Sequence, residues 1–144
     1  MTAAAARYHN WMADSPRDLL TGLRNGLLKL HKTLLDSERE RYERDIERVN
    51  SSGQLLGLVL HDPFFAWLHE LSELIVLIDE TLDAAEPASA SEAGRLLAQA
   101  RTLLTPAETG SGFRKEYFQA LQRDPAVVIA HGAAMQTLGS LANS

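Results

Sequence analysis

Apolar positions along this chain recur at three- and four-residue intervals almost throughout, the spacing that gathers them on one face of an α-helix. From Pro16 to about Val49, Leu20, Leu23, Leu27, Leu30 and Leu34 make one stripe, and Leu28, Leu35, Tyr42, Ile46 and Val49 make its neighbour. At about 1.5 Å per residue that rod is roughly 50 Å long. A second segment, Gln54 to Ala85, carries Phe64, Leu68, Leu71, Ile75, Ile78 and Leu82 on one face. A third, Glu92 to Leu104, turns Leu96, Leu97, Ala100, Leu103 and Leu104 inward. Phe113 to Arg123 and Pro125 to Leu141 follow as one broken helix. No segment shows the two-residue alternation of a half-buried strand, and no repeat recurs at a solenoid period.

Prolines mark the boundaries. Ser15-Pro16, Asp62-Pro63, Thr105-Pro106 and Asp124-Pro125 each read as an N-cap followed by the first helical residue. Proline loses no hydrogen bond there, and the preceding oxygen accepts from an orphan amide of the first turn. Asp18, three residues after Ser15, approximates a capping box and puts negative charge at the positive end of the dipole. Pro87 lies in a run of small residues that ends one helix before Ser89 or Ser91 caps the next. The expected fold is all-α: an up-down-up-down four-helix bundle over a single domain, 1–144. It has a long N-terminal hairpin, a second helix kinked at Asp62-Pro63 and a last helix broken at Asp124-Pro125. Residues 1–14 read as a weakly structured or short helical leader.

One polar anomaly interrupts the apolar stripes. The heptad Leu28, His31, Leu35, Glu38, Tyr42, Asp45, Val49 places His31 and Glu38 in line with leucines. If the hairpin turns near Ser52, antiparallel pairing levels His31 with Ser72 and Glu73, Glu38 with Ala66 and Trp67, and Tyr42 with Asp62. A buried carboxylate must find donors or take up a proton, and the Trp67 indole, the Tyr42 hydroxyl or a histidine could serve. His31, Glu38, Tyr42, Trp67 and Ser72 therefore form a candidate interior polar cluster. It is either a pocket for a ligand, a metal or acid-base chemistry, or a satisfied layer that fixes helix register.

Composition narrows the function classes. The chain of 144 residues has no cysteine, which excludes disulfides, thiolate metal sites and a cysteine nucleophile. Fourteen basic against nineteen acidic residues give a net charge of −5, which argues against nucleic-acid binding. The N-terminus lacks a basic leader with an apolar core, so a cytoplasmic location is expected. Leu55 to Ile78 is long enough to span a bilayer but holds His61, Asp62, His69, Glu70 and Glu73, so no membrane span is expected.

Metal chemistry finds little support. None of the five histidines has Glu or Asp three residues before it, the spacing a di-iron bundle needs. His69 and Glu73 share a helical face but read as a solvated ion pair, and the second histidine of a zincin motif is missing. No metal and no cofactor are expected. His61 beside the helix break would hydrogen-bond a freed carbonyl or face water, and His131 reads as a core-edge histidine. Arg39 to Arg48 holds four arginines against four acids, and the i,i+4 pairs Arg39 with Glu43, Glu40 with Arg44 and Arg41 with Asp45 suit an exposed helix. Gly22 and Gly26, like Gly53 and Gly57, have the spacing that lets helices approach closely.

Three phrases, Leu30 to Glu38, His61 to Leu68 running on to Leu71-Ser72-Glu73-Leu74, and Ala120 to Pro125, resemble segments of small bacterial all-helical proteins with no assigned activity. The resemblance implies a bacterial cytoplasmic protein and carries no activity onto these residues. The expected function is a non-enzymatic interaction module that self-associates, most simply as a homodimer, or binds a protein partner. Phe64, Phe65 and Leu77, spread around more than one face of the second helix, are the candidate interaction surface. The alternative is a ligand or metal pocket around His31 and Glu38 with possible catalytic use.

Overall fold

The computed structural model describes residues 15–142; the expected leader, 1–14, lies outside them. The described residues form six α-helices and one 3-10 segment, with no strand among them. These are α1 (Pro16–Asp45), α2 (Ser52–His61), the 3-10 segment Pro63–Leu68, α3 (His69–Asp83), α4 (Ala90–Leu103), α5 (Phe113–Arg123) and α6 (Pro125–Ala142). No described helix is long and apolar enough to cross a membrane.

The central element is α1. It packs against α3, α4, α6 and the 3-10 segment, and its leucines Leu20, Leu23, Leu27, Leu30 and Leu34 are each at most 1% exposed. Burial of that extent contributes about 2 kcal/mol per side chain. Six α-helices stand among the described residues where four segments were expected, because the second is two α-helices joined by a 3-10 segment and the last is two helices. Asp62 has extended backbone, its carboxylate accepts from the Phe64 amide at 2.9 Å, and a full 3-10 segment follows where a simple kink was expected. The break at Asp124-Pro125 is present: α5 ends at Arg123, and Asp124 accepts from the Ala126 amide at 2.9 Å as α6 begins.

Two boundaries move. The first helix ends at Asp45 rather than Val49, with the amides of Ile46 and Glu47 both closing onto the Tyr42 carbonyl. Beyond it the chain folds back so that Val49 is buried while Ile46 is left exposed. Thr105-Pro106 does not start a helix. The Thr105 hydroxyl instead donates to the Arg101 carbonyl at 2.8 Å, at the end of α4. The loop that follows turns on Gly110 and Gly112, whose φ values of 92° and 84° suit glycine. At Ser89 the capping box with Glu92 is complete.

The glycine spacing in α1 has a structural reason. A Cβ on Gly22 would lie 3.1 Å from a methyl of Leu141, and one on Gly26 would lie 3.3 Å from the Thr137 methyl. Both contacts are with α6, which runs antiparallel to α1 at backbone-close distance.

Candidate functional site

Glu38 faces inward from the C-terminal third of α1 and is 1% exposed. Its carboxylate is fully engaged. Oε1 accepts from Arg41 Nε at 3.1 Å and from an Arg123 terminal nitrogen at 2.7 Å. Oε2 accepts from an Arg41 terminal nitrogen at 2.8 Å and from Trp67 Nε1 at 3.1 Å. Four donors on four lone-pair sites leave this carboxylate no free acceptor position for a metal or a substrate. The bond from Glu38 raises the pKa of Arg41, and the Arg41 guanidinium lies 4.0 Å above the Phe64 ring. Three parts of the chain, α1, the 3-10 segment and α5, meet at one charge.

His31 lies two turns earlier on α1, and its Nε2 is 2.9 Å from Ser72 Oγ. The Ser72 oxygen is also within 3.3 Å of the Leu68 carbonyl, to which its hydroxyl can donate while it accepts from the imidazole. Burial lowers the pKa of His31. The expected register levelled these two residues, and likewise Glu38 with Trp67. Tyr42 does not join them: its hydroxyl is 3.4 Å from Glu47, and its ring meets Phe64 edge-on at 5.2 Å. The cluster is therefore two separate hydrogen-bonded layers with Tyr42 outside both.

An aromatic file continues from Trp67 through Phe113 to Tyr117, with ring centres 5.4 and 5.3 Å apart. Tyr117 is completely buried, and its hydroxyl lies 2.5 Å from His131 Nδ1. Burial raises the tyrosine pKa, so the phenol keeps its proton. Burial also lowers the pKa of His131.

Several surface expectations need correction. Phe65 is completely buried and packs against Tyr42 and Phe64, so it cannot present an interaction surface. Phe64 is half-buried beneath Arg41, whereas Leu77 is exposed. His69 is not paired with Glu73; its Nε2 donates to the Val59 carbonyl at 2.8 Å. His69, not the exposed His61, satisfies the carbonyl freed at the break. Of the three ion pairs expected along Arg39 to Arg48, Arg39 with Glu43 forms at 3.5 Å. Arg41 turns inward to Glu38, and Arg44 pairs with Asp45 at 3.5 Å.

Sequence reasoning missed Arg41 and Arg123, the charges that neutralise Glu38. The i,i+3 spacing of Glu38 and Arg41 was a usable signal. Nothing local points to Arg123, 85 residues away. Among the described residues no group of three or more His, Cys, Asp or Glu side chains could hold a metal ion. A cleft of about 390 Å³ lies between α1 and α6, and neither His31 nor Glu38 lines it. Comparison with known proteins finds no matching family model, no similar curated protein and no similar solved structure.

Proposed function

We propose that this chain is a helical interaction module that works by associating with a second copy of itself, with α2 as its contact face. The carrying observation is α2 itself. Ten residues of apolar composition form a helix with no buried residue, and Leu56 and Leu60 are 58% and 53% exposed. Gly53, Leu56, Gly57 and Leu60 follow the i, i+3, i+4, i+7 pattern of one helical face, and nothing lies within 4 Å of a Cβ placed on Gly57. Such a face offers leucine ridges beside glycine hollows, a shape that fits its own two-fold copy.

The size of α2 bears on strength. A ten-residue helix is about 15 Å long and some 10 Å across. It covers well under the ~800 Å² per partner of a standard interface. The association is therefore weak and concentration-dependent, strengthened by whatever nearby apolar surface the copy also covers. The scaffold beneath that face is α1 with α3, α4 and α6 packed against it; α2 and α5 bend back on their neighbours, since His69 reaches the Val59 carbonyl and Tyr117 reaches His131. A reducing cytoplasm suits a chain without cysteine.

A ligand or metal pocket at His31 and Glu38 is the weaker reading, because the polar atoms there are spent on Ser72, Trp67, Arg41 and Arg123. Sedimentation velocity over a wide concentration range tests the proposal. The parent chain is expected to gain mass with concentration, and Leu56→Asp with Leu60→Asp is expected to stay monomeric. A parent chain that remains strictly monomeric at high concentration overturns it.

A further inference from the structure

Beside the Glu38 layer the surface opens into a polar cleft of about 160 Å³, lined by Ser37, Glu40, Arg41, Arg44, Arg123 and Asp124. Two of its three guanidinium groups are held in place from behind. Arg41 and Arg123 are anchored on the buried Glu38 carboxylate, and Arg41 is also stacked over Phe64 at 4.0 Å. Each guanidinium carries five N–H donors in a fixed plane. Glu38 uses two from Arg41 and one from Arg123, and neither arginine has another hydrogen bond among the described residues. Arg44 lines the cleft, mostly exposed, and is paired with Asp45 at 3.5 Å.

Ser37 adds a hydroxyl to the same wall. It is 8% exposed as a residue and lines the cleft, and its hydroxyl, which makes no hydrogen bond to a described residue, stays accessible from the cleft and can donate to an occupant. The acidic neighbours limit what that can be. Asp124 is engaged with the Ala126 amide, while Glu40 is exposed on the rim. With Glu38 behind Arg41 and Arg123 and Asp45 beside Arg44, these acids offset the arginine charge, so the cleft offers directed N–H donors rather than a positive field, and a polyanion is disfavoured over one small head group.

We propose that this cleft binds a single small oxyanion, a phosphoryl or carboxylate head group, through Arg41, Arg44, Arg123 and the Ser37 hydroxyl. Arg41 and Arg123 hold the planar fork that such oxygens match, with their orientation set in advance by Glu38. The site is independent of the α2 face.

The test titrates the full chain with sodium phosphate, and separately with sodium acetate, at ionic strength held constant with sodium chloride. NMR follows the arginine Nε–H signals. The expected result is a saturable shift at Arg41, Arg44 and Arg123 with at least one anion. Saturation by phosphate alone assigns a phosphoryl head, and saturation by both with mutual competition assigns a carboxylate-sized site. Arg44→Gln and Ser37→Ala, neither of which touches Glu38, are each expected to weaken binding about fivefold. Lys32→Gln, farther along α1, is expected to leave it unchanged. Shifts that never saturate, or equal weakening by Lys32→Gln, overturn the proposal.

Discussion

His69 donates to the Val59 carbonyl across the helix break, at 2.8 Å. In an unbroken helix that carbonyl would accept from the amide four residues later, but residue 63 is proline and has no amide hydrogen. The imidazole stands in for the missing donor. His69→Leu should lower stability by about 1–2 kcal/mol in urea denaturation, the cost of an unmade hydrogen bond at a part-buried carbonyl. The loss should shrink when Pro63→Ala restores an amide, and a double-mutant cycle without coupling would show that the bond carries no such role.

Glu38 joins three elements through one carboxylate, and removing its charge leaves Arg41 and Arg123 facing each other with the balancing anion gone. Glu38→Gln also turns an amide donor toward donors. Loss of one partner of a fully buried pair costs about 3–5 kcal/mol. Both arginines are partly solvated here, so about 2–4 kcal/mol is expected. Trp67→Phe removes one of the four donors while keeping an aromatic ring, and should cost about 1 kcal/mol. Chemical denaturation checks both, and a Glu38→Gln chain as stable as the parent would rule out the layer as a stabilising link.

These cases also mark how far the sequence could be read. Helical periodicity identified the α1 leucines, and antiparallel register levelled His31 with Ser72 and Glu38 with Trp67, because both follow from repeat spacing along neighbouring rods. The 3-10 segment was not legible, since Phe64, Leu68 and Leu71 keep a helix-like spacing whichever helix type holds them. The true partners of Glu38 were hidden for a different reason. Arg41 belongs to a run rich in i,i+4 arginine and acid pairs, and only burial of Glu38 decides that Arg41 turns inward. Arg123 is brought in by the packing of α5, which no local pattern encodes.

Acid should weaken this fold partly through its histidines. Burial disfavours the imidazolium of His31 and His131, so both have folded-state pKa values below their ordinary 6.5. The unfolded chain then takes up these protons first. Their contribution to stability is complete above about pH 6.5 and is lost as pH falls from there through the lower folded values. His31→Gln, which keeps a donor toward Ser72, should flatten part of that decline. Urea midpoints at about pH 7 and about pH 5 measure it, and an unchanged slope in His31→Gln would remove His31 from the account.

Glycines on different helices should respond with opposite sign. Gly94 on α4 is exposed, and a Cβ placed there would meet nothing within 4 Å. Gly94→Ala should therefore raise stability by about 0.5–1 kcal/mol through helix propensity. Gly26→Val would drive two methyls into Thr137 of α6 and should lower stability by about 1–3 kcal/mol. Thermal melts of the two variants give the comparison, and equal effects would remove the close approach of α1 and α6 as its cause.

The 85-residue span between Glu38 and Arg123 also bears on how the polypeptide matures. Synthesis delivers α1 early, yet the helix that seals its glycine-notched flank and the arginine that completes its internal charge both emerge much later, with α6 and α5. A nascent chain halted before α5 holds α1 with its leucines uncovered on that side and Glu38 held by fewer donors. Closure of the interior is thus deferred until both late helices have left the ribosome. Prematurely terminated products should be preferred clients of chaperones and proteases, while chains that carry both helices escape them.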